Sequence, residues 1–173
     1  MNLRFVFNII VLSLLSTCIC NFATAQGIKK EQRNIGNWIT YIEQKSNKKI
    51  CYLYSNPVKS SLYQGERKTP FLNINYLGKK QFTITVNTGY TIATTYPTSI
   101  HIENKTIDLD TRYEDYAITY DGAQDMYLIN LFIKSLDSYF YVRSHESETR
   151  FSIDYYSLSG LKEALQYIEN KCS

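Results

Sequence analysis

FLNINYLGKKQFTITVN, residues 71–87, alternates, turns and alternates again. Phe71, Asn73 and Asn75 oppose Leu72, Ile74 and Tyr76; beyond Gly78-Lys79-Lys80, Phe82, Ile84 and Val86 point one way and Thr83 and Thr85 the other. Successive strand residues face opposite sides of a sheet, so this is a hairpin with one face in the core and one half-wet. The same pattern extends outward. NWITYIEQ (37–44) sets Trp38, Thr40 and Ile42 against Ile39, Tyr41 and Glu43, and after the turn KSNKK comes ICYLYS (50–55), stopped by Asn56-Pro57. On the other side, IHI (100–102) and TIDL (106–109) flank the turn Glu103-Asn104-Lys105, and SYFYVRS (138–144) and TRFSIDYY (149–156) flank HESE. Residues 26–34 read as a loose polar start and 58–70 as a basic loop.

Twice the period changes to a helical one. After Asp121-Gly122, Met126, Ile129 and Ile133 form a stripe widened by Leu128, Leu131 and Phe132, with Asp121 or Asp125 at the start. At the end, Leu161, Ala164, Leu165, Ile168 and Cys172 recur at helical spacing, with Ser159 as the candidate cap. The expected fold is mainly β: an antiparallel β-sandwich or barrel-like domain with one covering helix and a C-terminal helix.

Residues 1–25 carry Arg4, an apolar run from Phe5 to about Cys20, and Ala23-Thr24-Ala25 before Gln26. That is the pattern of an export signal cleaved after an A-x-A site, and the run is shorter than the roughly 20 residues a spanning helix needs. An uncleaved anchor and lipidation at Cys18 or Cys20 are the weaker alternatives. Residues 26–173 then form one domain, large enough for a single core. Cleavage leaves Cys51 and Cys172 of the four cysteines. In an oxidising compartment one disulfide is the simplest reading, two buried thiols the alternative, and a metal pair is disfavoured because neither cysteine sits in a C-x-x-C or C-x-x-H pattern.

Arg4 leaves with the signal, so 18 of the 19 basic residues face 16 acidic ones. This balance, without a basic stripe, argues against nucleic acid. The sixteen tyrosines suit half-buried strands and contact surfaces alike.

Trp38, the run CYLYSNP (51–57), Arg67 ahead of an aromatic strand, ITVNTGY (84–90) and DYYSLSGLKEALQYIENKC (154–172) occur in an order that resembles the invasion-associated locus B family of exported bacterial proteins. The positions carrying the resemblance are Trp38, Cys51, Tyr52, Ser55, Pro57, Gly89, Tyr90, Asp154, Tyr156, Ser157, Leu158, Gly160 and Cys172. Two turns, near Ser135 and at HESET (145–149), lack a glycine the family often has there. The resemblance implies a single β-rich domain in the periplasm, or at the surface, of a Gram-negative bacterium. It implies an association with host-cell invasion and no catalytic residue to carry over.

Read alone, the residues offer little chemistry. His101 sits in a strand as a surface or satisfied histidine, and His145 opens a charged turn without the helix face of H-E-x-x-H. Asp108 with Asp110, and Glu114 with Asp115, are sequence neighbours that read as exposed charge rather than as a glycosidase pair. With no G-x-S-x-G elbow and no glycine-rich phosphate loop, no enzyme activity and no cofactor are expected. The expectation is a module for a protein or glycan partner, with Tyr113, Tyr116 and Tyr120 in YEDYAITYDG (113–122) as candidate contacts. A loop packed down by its own tyrosines is the bland alternative, and an envelope-maintenance role the alternative function. Trp38 and Tyr156 are expected in the core, with Ser157 or Ser159 capping the last helix.

Overall fold

Residues 71–87 form the hairpin their alternation predicts. Strands β5 (Phe71–Gly78) and β6 (Gln81–Asn87) are antiparallel, with Leu72 opposite Val86, Ile74 opposite Ile84 and Tyr76 opposite Phe82. The computed structural model describes residues 29–45, 48–62 and 65–173, so the segment 1–25 expected to be an export signal lies outside the described residues. Around the hairpin, β1 (Lys29–Ile35), β2 (Trp38–Lys45) and β3 (Lys48–Ser55) extend one side. On the other side lie β9 (Tyr116–Ile118), β8 (Lys105–Tyr113), β7 (Thr98–Ile102), β10 (Tyr139–His145), β11 (Phe151–Ser157) and the edge strand β4 (Lys59–Leu62).

Every neighbouring pair is antiparallel, and β8 is where the eleven-stranded sheet turns back on itself. Residues 105–109 pair with β7, whereas Asp110 and Tyr113 pair with β9 across a register shift. A strand that changes partners along its length forms a sandwich corner. Leu53, Leu72, Ile74 and Ile84 fill the core from the first half, and Ile100, Leu109, Phe140, Val142 and Tyr156 from the second. Trp38 is fully buried and donates its indole N–H to the Ser157 carbonyl at 2.9 Å, joining β2 to the end of β11.

Helix α1 (Gly122–Lys134) starts at Asp121, whose carboxylate accepts the Gln124 N–H at 2.8 Å. Its buried residues are Asp125, Leu128, Ile129 and Phe132, while Met126 and Ile133 are each 37% exposed. The expected stripe through Met126 and Ile133 is therefore corrected by about a quarter of a turn. The cause is Asp125: its carboxylate accepts the Ile84 backbone N–H at 2.9 Å and the Thr119 hydroxyl at 2.5 Å, turning that flank onto β6. From the same face Phe132 stacks on Phe140 at 4.3 Å.

Helix α2 (Leu161–Cys172) lies against β2, β3 and β5, burying Leu161, Ala164, Leu165 and Ile168. Its last residue forms the Cys51–Cys172 disulfide, closing a sequence separation of 121. The serine cap does not form. The N-cap is Gly160 at φ 82° with no side-chain bond, and the Ser157 hydroxyl instead accepts the Ser159 N–H. Here the glycine is required by contact as well as by φ. A Cβ on Gly160 would stand 2.4 Å from the Ile35 carbonyl oxygen, and one on Gly36 2.3 Å from that of Ser159. The β1–β2 turn and the turn into α2 thus touch backbone to backbone. Two further corrections concern strands without a core-facing pattern. Residues 29–35 are a fully paired edge strand rather than a loose start, and 59–62 pair with β11 rather than forming loop. Their side chains are mostly exposed, so alternation of apolar residues could not signal them.

Candidate functional site

The inward residues of β2, β3, β5 and β6 leave a second set on the outer face, and that set is aromatic. Cross-strand register places Tyr41 opposite Tyr52, and their rings stack 4.9 Å apart at 19°. Tyr54 meets Phe71 at 5.3 Å, and Phe71 meets the ring of Tyr116 edge-on at 6.2 Å. Tyr116 pairs with Tyr113 across the two-residue turn Glu114-Asp115. Aromatic residues thus run from β2 to β8, in ring contact at Tyr41–Tyr52 and at Tyr54–Phe71–Tyr116. Each aromatic cross-strand pair contributes roughly 0.2–1 kcal/mol, so the rings hold each other in place. Lys30 lies over the Tyr41 ring at 5.3 Å and pairs with Glu43 at 3.0 Å, closing one end of the row.

The other end is clamped through the backbone. Thr88 N–H donates to the Asp115 carbonyl at 3.0 Å, Ile92 N–H to the Glu114 carbonyl at 2.8 Å, and the Asn87 amide to the Asp115 carboxylate at 3.1 Å. Glu114 sits at φ 48°, a left-handed conformation that a non-glycine residue holds only where its surroundings impose it. Of the tyrosines expected from the sequence, Tyr113 and Tyr116 are therefore brought together, 50% and 38% exposed. Tyr120, 63% exposed, stands apart beyond the far end of β9, where its N–H donates to the Gln124 side chain at the start of α1. Sequence reasoning did not single out Tyr41, Tyr52, Tyr54 or Phe71 as contacts. Their signal was present: they are the outward members of alternating strands, where polar residues are the ordinary choice.

Behind this region a buried ion pair fixes the segment that leads into β5. Arg67 donates to both Asp154 carboxylate oxygens, at 2.8 and 2.5 Å, to the Ser152 hydroxyl at 2.9 Å and to the Thr88 carbonyl at 3.0 Å. The two side chains are 7% and 2% exposed. Burial pushes the guanidinium pKa down, but the hydrogen bonds and charge of Asp154 outweigh this and leave it raised. Beside the pair, the Tyr90 hydroxyl bonds the Ser144 carbonyl and the hydroxyls of Ser144 and Ser152. Burial also raises the Tyr90 phenol. Gly89, at φ 80°, lets the Lys68 carbonyl approach where a Cβ would meet it at 2.1 Å. These groups saturate one another and leave no activated nucleophile in the cluster.

Both histidines lie against aromatic rings, but the Nδ1 of His145 is buried without a hydrogen-bond partner. His101 stacks on Tyr141 at 4.5 Å, with one ring nitrogen bonded to Ser99 and the other to Thr106. His145 lies between Tyr96 and Phe151, and Glu146 pairs with Arg150 at 2.9 Å. Burial lowers the pKa of both imidazoles, and Arg143 lowers them further. Asp110 is buried while Asp108 is exposed, and among the described residues no three of His, Cys, Asp and Glu gather in a metal-binding group.

What the fold and the face define together is a class: an antiparallel β-sandwich whose last helix is clasped by a disulfide and whose outer sheet carries a fixed aromatic row. Among solved structures, the crystal structure of invasion associated protein b from Bartonella henselae is similar, with a TM-score of 0.59 over 82% of this chain and 96% of that chain. At 11% sequence identity the likeness is one of fold, a remote structural relationship. No family model matches the chain, and no curated protein matches it. No helix among the described residues is long and apolar enough to cross a membrane.

Proposed function

We propose that this chain is an exported, non-catalytic interaction module of the invasion-associated locus B type, working at the envelope or surface of a Gram-negative bacterium. The observation that carries the reading is the set of aromatic residues from Tyr41 to Tyr116, held by cross-strand ring contacts on an outward sheet face. Tyrosine offers a large contact area at low entropic cost, and rings already immobilised lose little more on binding. The disulfide fits an oxidising compartment, and the saturated bonding of Arg67, Asp154, His101 and Tyr90 favours binding over chemistry. The similar fold of a protein named for invasion supports a link to host-cell contact.

The test pairs localisation with surface mutation in the source bacterium. Protease accessibility on intact cells, with host-cell adhesion of the wild type and of Tyr52→Ser/Tyr116→Ser, is the measurement. Accessible protein, and adhesion lost by the double variant at unchanged melting temperature, is the expected result. A protease-shielded periplasmic protein whose deletion affects only envelope stress would replace this function with envelope maintenance.

A further inference from the structure

Between the aromatic residues lies a block of neutral polar side chains. The β5–β6 register sets Asn75 opposite Thr83 and Asn73 opposite Thr85, all on the outer face and all partly exposed. Tyr52 and Tyr54 flank them on β3, opposite Asn75 and Asn73. Ile118 on β9 adjoins Thr85, and the Phe71–Tyr116 contact closes one end. Among the described residues, no side-chain hydrogen bond engages Asn75, Thr83 or Thr85. The Asn73 carbonyl oxygen is buried without a partner, so rotation of that amide toward a bound donor would satisfy it. Of the carboxylates beside the row, Glu43 is paired with Lys30 and Asp115 with the Asn87 amide, while Glu114 lies exposed in the turn beyond Tyr113.

We infer that this block is a binding site for a neutral saccharide chain lying along β5 and β6 between the tyrosines, an assignment that rests on the interaction module proposed above and names its ligand class. The matching is chemical. Amides and hydroxyls provide donors and acceptors together, as sugar hydroxyls demand, and rings beside them take the apolar C–H face of a pyranose. An anionic ligand finds no cation inside the block, the lysines Lys79 and Lys80 standing beyond it in the β5–β6 turn. An acyl chain would bury the amides unpaired, at a cost that makes it the poorer occupant. A peptide strand would add at an edge rather than on a face.

The experiment is a heteronuclear NMR titration of the isotope-labelled mature chain, disulfide intact. The probes are neutral hexasaccharides of glucose, mannose, galactose and N-acetylglucosamine, with uronic-acid and sialylated oligosaccharides as the charged arm. At least one neutral probe is expected to shift the signals of Asn73, Asn75, Thr83 and Thr85. Asn75→Ala should then weaken that probe by roughly tenfold, the size of one or two lost hydrogen bonds. Its unchanged melting temperature excludes unfolding as the cause. Silence toward every neutral probe at millimolar concentration, preference for the charged arm, or shifts elsewhere would overturn the inference. Silence combined with adhesion still lost in Tyr52→Ser/Tyr116→Ser would remove the saccharide and leave the interaction module standing. Silence toward every neutral probe together with adhesion unchanged in Tyr52→Ser/Tyr116→Ser would remove both.

Discussion

Arg67→Met is the substitution that tests the architecture most sharply. It leaves the Asp154 carboxylate, 2% exposed, without its bidentate cation, and only the Ser152 hydroxyl still donates to it, at 3.3 Å. Breaking one side of a buried ion pair costs about 3–5 kcal/mol, most of it the penalty of an uncompensated charge. For a domain of this size that is a fall in melting temperature of roughly 6–20 °C. The pair itself adds little beyond a well-packed apolar replacement, so Arg67→Met/Asp154→Leu is expected to cost less than either single change. Tyr90, Ser144 and Ser152 keep their mutual hydrogen bonds in that variant, and the main loss is the donor to the Thr88 carbonyl. About 1–2 kcal/mol is then the expected deficit.

The assay is urea unfolding of the oxidised protein at neutral pH, read for both midpoint and slope in a double-mutant cycle. Raising the salt should change the wild-type value little, since buried pairs are weakly screened. A cost below about 1 kcal/mol for Arg67→Met, or a double variant that loses the sum of the singles, would refute this account of how β11 holds the segment before β5.

Other consequences can be checked with the same unfolding measurement. Reducing Cys51–Cys172, or replacing both with Ser, should lower stability by up to about 5 kcal/mol from the 121-residue closure, offset where α2 stays packed by Leu165 and Ile168; an unchanged midpoint would show the clasp to be superfluous. Trp38→Ala should cost about 3–5 kcal/mol and Trp38→Phe about 1–2, because the second keeps most of the volume and loses the bond to Ser157. Asp125, raised above its ordinary 3.8 by burial, contributes stability that is full at low pH and is lost as pH climbs through its folded value; Asp125→Asn should flatten that descent in the wild-type curve. His145 has the opposite sign: lowered below 6.5, it stabilises above that pH and loses the contribution as pH falls through its folded value, so His145→Phe should lessen the acid-side decline, leaving the share of His101, which is lowered too.

Legibility from sequence followed physical contrast. Where one face of a strand is dry and the other wet, as in β5 and β6, alternation sorted the two faces, and in β6 it named Phe82, Ile84 and Val86 as inward. Where a strand is exposed along all but its last residue, as in β1, the chain was indistinguishable from loop, because its strand state rests on a ladder with β2 that leaves no mark in composition. The shifted stripe of α1 has a similar origin. Periodicity allows several apolar faces, and a single polar residue, Asp125, selects among them through its bond to Ile84, a partner 41 residues away. Arg67 and Asp154 were both visible as landmarks, but their pairing spans 87 residues and depends on how the sheet turns back on itself at β8.

The site was half legible for a related reason. Tyr113 and Tyr116 were noticed because they cluster in the chain, whereas Tyr41, Tyr52, Tyr54 and Phe71 cluster only across strands. An antiparallel sheet turns the second kind of neighbour into the first: register β2–β3–β5–β6–β9–β8 collects outward residues from the first and second thirds of the domain into one row. Stability alone does not demand aromatic residues there. The inner faces already bury Leu53, Leu72, Ile74 and Ile84, and an outward threonine would satisfy strand propensity as well as tyrosine does. Half-exposed rings around amides with unused hydrogen-bonding capacity are what the proposed interaction module requires of that face. The buried Arg67–Asp154 pair and the Cys51–Cys172 clasp act alike on that face, since each ties together segments distant in the chain: Arg67, ahead of β5, to β11, and the end of α2 to β3.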